Sequence, residues 1–123
     1  MGTVDLVVNL AKSIRIDLAR MESDIVSLFS YKLEDVGISH YREVRILPRC
    51  FVDILTEDGV AIEFKRGKPN TKKVAEQIER YSKSDMVKFI VLVTERGLRN
   101  HIIEANGKRV EYVALSFNWG ITV

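Results

Sequence analysis

Along the first part of the chain, apolar residues recur at three- and four-residue steps: Leu6, Leu10, Ile14, Leu18, Met21, Ile25, Leu28 and Phe29. This is the period of an amphipathic helix, and it predicts one long helix or two abutting ones from about Val4 to Asp35, ended by Gly37. The period then shortens. Tyr41 to Leu47 alternates like a strand until Pro48 interrupts it. Phe51 to Thr56 and Val60 to Lys65 read as two more strands around Glu57-Asp58-Gly59, a good hairpin turn sequence.

Arg66 to Asn70, with Gly67 and Pro69, is predicted as a loop, after which Thr71 can cap a helix from about Lys72 to Lys83. Its inward stripe is Val74, Gln77, Ile78 and Tyr81. Val87 to Thr94 is almost wholly apolar and β-branched, as in a central strand covered on both faces. Leu98 to Ala105 fits a short helix stopped by Asn106-Gly107, or a strand entering a type I′ turn at those two residues. We take the helix. Val110 to Leu115 is the last strand, giving the order αβββαβαβ and an α/β fold, a mixed β-sheet flanked by helices on both faces.

Length and composition refine this picture only slightly. The chain has 123 residues, 46% of them hydrophobic, which suits one domain over residues 1–123. Its 19 Lys and Arg nearly balance 17 Asp and Glu, so bulk charge announces neither nucleic acid nor a membrane surface. Cys50 is the only cysteine, which excludes an internal disulfide and a cysteine-rich zinc site. No apolar run approaches bilayer length and the start is not signal-like, so a cytoplasmic protein with no membrane association is expected.

Candidate chemistry enters through the hairpin, where Asp53, Glu63 and Lys65 interrupt apolar strands. Register decides whether they meet, because a one-residue slip sends every side chain to the other face. A two-residue turn at Asp58-Gly59 sets Asp53 opposite Phe64. A three-residue loop with Gly59 in the left-handed conformation sets Asp53 opposite Glu63. In that second register Val52, Ile54, Val60, Ile62 and Phe64 form the core face. Asp53, Glu63 and Lys65 share the other face, flanked by Phe51, Leu55 and Ala61. Opposed residues have Cβ atoms roughly 4.5–5.5 Å apart, so the two carboxylates could share a hard divalent cation. The plain alternative is a set of solvent-facing charges on a one-sided hairpin.

Asp53, then Glu63-Phe64-Lys65, then Gln77-Ile78-Glu79-Arg80-Tyr81 in the next helix, resembles the PD-(D/E)XK nuclease superfamily in its RecB-like, QxxxY branch. The resemblance runs from the first helix to the strand at Val87 and implies a restriction-endonuclease-like core. It further implies that Asp53, Glu63 and the main-chain carbonyl of Phe64 bind Mg2+ or Mn2+. It gives Lys65 the task of assisting the nucleophile, and has Gln77 and Tyr81 line the cleft. Many members carry another acid on the first helix, for which Glu22 is the match and Glu43 the competitor. The sequence departs from the family pattern in having no Pro or Gly just before Asp53.

Arg66, Lys68, Lys72 and Lys73 crowd the loop and first helical turn beside this set, where they could hold phosphate without reading bases. His40 and His101 lack a second ligand at metal spacing and read as a loop and a surface residue. The expected function is a divalent-metal-dependent DNA nuclease, structure- or end-directed. The alternatives are a Holliday-junction-resolving endonuclease acting as a homodimer, a catalytically inactive nucleic-acid-binding module, and a scaffold that binds no nucleic acid.

Overall fold

A computed structural model of the protein describes residues 2–13, 22–97 and 102–115. Within the predicted amino-terminal helical region the described residues form α1 (Thr3–Ser13) and α2 (Glu22–Asp35), and residues 14–21 between them lie outside the described set. Gly37, at φ +79, closes α2 as expected: its N–H and that of Ile38 return to the carbonyls of Glu34 and Leu33. Three antiparallel strands follow, β1 (His40–Leu47), β2 (Cys50–Thr56) and β3 (Val60–Lys65). Helix α3 (Thr71–Tyr81) then leads to β4 (Phe89–Thr94), and β5 (Glu104–Ala105) and β6 (Lys108–Ala114) complete the sheet.

The strand order is β1-β2-β3-β4-β6-β5, with β4 parallel to both β3 and β6, so the sheet is mixed. Helices α1 and α2 cover one face. Val7, Ile25, Phe29 and Leu33 pack there on Ile54, Ile62, Phe64, Val91 and Val93, with the Phe29 and Phe64 rings edge to face at 5.2 Å. On the opposite face Val74, Ile78 and Tyr81 of α3 pack on Leu55, Ala61, Ile90 and Leu92. Strand β4 sends alternate residues into each cluster, so both of its faces are covered, as its unbroken apolar run predicts.

The element order ααβββαβββ differs from the sequence expectation near the carboxyl end. Residues 98–101 lie outside the described set, but Glu104 and Ala105 are a strand, not the end of a helix. Asn106 (φ +49) and Gly107 (φ +77) both take left-handed angles and join β5 to β6, as a type I′ turn requires. The cap of α3 also moves by one residue. Asn70 fills it, its side chain accepting from the Lys73 N–H at 3.0 Å, and the helix ends at Tyr81 rather than Lys83.

Val52 is the second correction. The sequence reading puts it on one core face with Ile54, Val60, Ile62 and Phe64, yet it packs with Ile78 and Tyr81 on the α3 side, while those four pack on the α1–α2 side. Strands β1 and β2 both change face at one place. The ladder pairs Arg42 with Ile54 and Val44 with Val52 in one register, skipping both Glu43, at φ +50, and Asp53, and its register shifts further on, between Arg45 and Leu47. Beyond this gap Ile46, Cys50 and Val52 pack toward α3. His40 is likewise no free loop residue: it opens β1, half-buried, with its ring bonded to the Ser30 hydroxyl at 2.6 Å and the Ile38 carbonyl at 2.9 Å.

Candidate functional site

The β2–β3 hairpin has the register of the three-residue loop. Ile54 pairs with Ile62 and Leu55 with Ala61, the offset at which Asp53 and Glu63 are the next facing positions, although the ladder itself ends at Ile54 and Ile62. Gly59, at φ +94, takes the left-handed position, and its N–H donates to the Thr56 carbonyl at 3.0 Å. The Thr56 hydroxyl accepts the Val60 N–H at 2.9 Å and donates to Asp58, fixing the turn from inside.

Past Ile54 and Ile62 the two strands are joined by carboxylates instead of carbonyls. The Phe64 N–H donates to Asp53 Oδ2 at 2.8 Å, and the Asp53 N–H donates to Glu63 Oε1 at 3.2 Å. Each acid thus holds the backbone of the strand opposite. Glu63 is buried and Asp53 half-buried. Burial, and then the negative charge of Glu63, push the Asp53 carboxyl up from 3.8 to about 7, although the Phe64 N–H and the Lys65 charge act the other way.

The other oxygen of Glu63 is held from two sides. Lys65 Nζ lies 3.4 Å from Oε2, and Gln77 Nε2 donates to the same atom at 3.0 Å. The Gln77 amide also donates to the Tyr81 hydroxyl at 2.8 Å, which in turn donates to the Phe51 carbonyl at 2.9 Å. The polar interruptions of the α3 stripe are therefore bonded to one another and to the hairpin. Gln77 and Tyr81 lie one helical turn apart and reach Glu63 and Phe51 because α3 crosses over β2 and β3. Burial first, and the charge of Glu63 second, push the Tyr81 phenol well above its usual range, so it stays a neutral donor.

Five residues picked out by sequence, Asp53, Glu63, Lys65, Gln77 and Tyr81, thus form one bonded cluster. Others do not join it. Among the described residues no three His, Cys, Asp or Glu side chains come together as a metal-holding group, so exposed Glu43 does not complete the pair. Glu22 begins α2, and its side chain lies outside the described residues. The pair still fits a hard divalent cation. Both donors are carboxylates, their mutual repulsion is one cause of the raised Asp53 value, and magnesium commonly takes one or two carboxylates and keeps several waters.

The basic residues divide. Lys65, Arg66 and Lys73 line a groove of about 480 Å³ that runs along α3 beside Gln77, whereas Lys68 and Lys72 are exposed outside it. Arg66 is committed to an ion pair with Glu95 at 2.5 Å. Sequence reasoning missed three polar groove residues, Asn70, Glu76 and Arg80. Arg80 follows Lys73 by seven positions and Gln77 by three, so helical period alone would have placed it on this side. Comparison with known proteins adds no relative: no family model, no curated protein and no solved structure matches the chain.

Proposed function

We propose that this protein is a Mg2+- or Mn2+-dependent DNA nuclease, hydrolysing phosphodiester bonds at Asp53 and Glu63. One observation carries the reading. Asp53, Glu63, Lys65, Gln77 and Tyr81 come from two strands and a helix, yet form one hydrogen-bonded cluster around a pair of adjacent acids. A solvated one-sided hairpin would not bury Glu63 and bond each of its oxygens.

A divalent cation held by the two carboxylates would supply the positive charge that activates water and offsets charge building on the phosphodiester. The chain's own groups do the positioning. The Asp53 N–H and the Gln77 amide fix the two Glu63 oxygens, and Tyr81 fixes Gln77 through the Phe51 carbonyl. Lys65, half-buried beside Glu63, can orient the attacking water or neutralise the phosphate oxygens. The groove beside it offers Lys73 and Arg80 to the phosphate backbone, and contacts of that kind carry no base sequence. Structure- or end-directed binding follows from such contacts.

The test is a cleavage panel with Mg2+ or Mn2+ over single-stranded, duplex, flap and four-way-junction DNA. Asp53→Asn, Glu63→Gln and Lys65→Ala should each lower cleavage by roughly 100-fold or more. Amides are used for the acids because alanine would strip the backbone N–H groups of Phe64 and Asp53 of their acceptors. If no DNA form is cut, or the variants cut like the parent, the catalytic reading is wrong. A second reading, nucleic-acid binding without hydrolysis, is favoured by the finding that only two acids converge among the described residues. Calorimetric titration with Mn2+ separates the two, since a module that has lost catalysis through its metal site would release no heat of binding.

A further inference from the structure

Thr94, at the end of β4, has a buried hydroxyl that the fold leaves unused. Among the described residues six polar side chains are buried, and five of them have hydrogen-bond partners. Ser30 bonds His40, Thr56 the Val60 N–H, Glu63 the Gln77 amide, Ser82 the Glu79 carbonyl and Ser84 the Ile46 carbonyl. Thr94, 2% exposed, has none among the described residues. A buried polar group without a partner costs free energy, so its persistence needs a reason.

The sheet fixes what this hydroxyl stands beside. Ile90 and Leu92 pack against α3, so Thr94, two residues further along β4, faces the same side. Ala61 packs there too, which puts Glu63 and Lys65 on that side of β3. Lys65 is the partner of Thr94 across the parallel ladder, and the Glu95 N–H donates to the Lys65 carbonyl at 2.9 Å, so the strands still run together at this rung. Neighbouring strands lie roughly 4.8 Å apart, which roots the hydroxyl and the lysine stem side by side.

Lys65 has donors to spare. Its ammonium carries three, and its ion pair among the described residues is with Glu63 Oε2 at 3.4 Å, an oxygen that also accepts the Gln77 amide at 3.0 Å. The side chain is 30% exposed on a flexible stem, so the charge of Glu63 holds it more than packing does. Removing that charge, or engaging it with another cation, leaves a charged donor beside an unused acceptor.

Resting on the nuclease reading above, we infer that Thr94 is a positioning residue for Lys65, the acceptor to which the ammonium passes when Glu63 no longer holds it. Lys65 then stays on the sheet, at the groove it lines with Lys73 and Gln77, instead of turning out into solvent. A hydrogen bond from a charged donor favours that position by roughly ten- to a hundredfold.

The experiment is a double-mutant cycle in the metal-free full chain, read by thermal melts. Thr94→Val keeps the shape and removes the hydroxyl. Glu63→Gln removes the charge, and its one carbonyl oxygen keeps the Asp53 N–H. In the parent, Thr94→Val should raise the melting temperature by about 3–8 °C, because it removes an unpartnered hydroxyl. In Glu63→Gln the same change should lower the melting temperature, and in Glu63→Gln combined with Lys65→Met it should raise it again. Thr94→Ser keeps the hydroxyl and should give one constant shift in all three backgrounds. With Mg2+ and DNA, Thr94→Val should lower kcat by about tenfold or more with KM little changed, and Thr94→Ser should restore it.

A Thr94→Val shift of the same sign in every background overturns the inference. So does a loss of stability in the parent, which would mean that the hydroxyl is already satisfied. If the parent cuts DNA and the cycle shows no reversal, the nuclease stands and the second acceptor falls. If no DNA is cut and the reversal appears, the nuclease reading falls and Lys65 keeps its second acceptor.

Discussion

Replacing Asp53 with Asn should make the protein more stable at alkaline pH while, on the proposed nuclease reading, abolishing cleavage. Asp53 is held at about 7 in the folded chain against 3.8 for the ordinary side chain. Between those values the folded state keeps a proton that the unfolded state releases, so stability falls as pH rises, and the whole penalty is present above about pH 7. About three pH units correspond to about 4 kcal/mol as an upper bound. Because the carboxyl is only half-buried, solvent screening leaves about 2 kcal/mol.

Asparagine avoids this penalty and keeps the geometry. Its carbonyl oxygen can accept the Phe64 N–H, and its amide can donate to Glu63. Thermal melts in a chelator should put Asp53→Asn about 8 °C above the parent at pH ~8.5, with the gap closing toward pH ~4, where the parent's Asp53 is protonated. Adding Mg2+ at the higher pH should raise the parent and leave the variant unmoved. A gap that does not change with pH, or a variant less stable than the parent at pH ~8.5, would refute the account of the paired acids.

Tyr81→Phe removes the hydroxyl that joins the Phe51 carbonyl to the Gln77 amide, and should cost about 1–2 kcal/mol in urea unfolding. Asn70→Ala uncaps α3 and should cost about 1 kcal/mol by the same measurement. Gly59→Ala puts a Cβ 2.6 Å from Lys88 Cγ and 3.1 Å from the Met86 carbonyl, at φ +94. Calorimetry should register a loss of about 1–3 kcal/mol, and a neutral result would mean that the turn is looser than described.

The hairpin was legible because Glu57-Asp58-Gly59 allows only two common loop lengths, and loop length fixes which residues face each other; the three-residue loop is the one formed. Val52 was not, because the change of face comes where Glu43 and Asp53 drop out of the ladder, and Glu43, a non-glycine residue at positive φ, gives no hint of it in its identity. The stretch ending at Ala105 was misread for a different reason. A short apolar run fits helix or strand equally, and only pairing with β6 settles it. The bonds of Gln77 and Tyr81 within their helix face could be anticipated from spacing, whereas their reach to Glu63 and Phe51 depends on how α3 crosses the sheet. Ser84, buried and donating to the Ile46 carbonyl at 2.8 Å, carried no signal at all: a lone serine after a helix looks like any surface turn.

The rung that Asp53 and Glu63 supply in place of backbone carbonyls bears on how such a protein could lose its activity. An acid that serves only chemistry can drift to almost anything once the chemistry is no longer selected. Here each acid also ties down a main-chain N–H of the neighbouring strand, so most replacements would fray the sheet where β2 and β3 separate. Asn and Gln are the exceptions, since they keep an acceptor and shed the charge. A lineage released from hydrolysis would therefore be expected to drift toward amides at positions 53 and 63 and to gain stability as it did so.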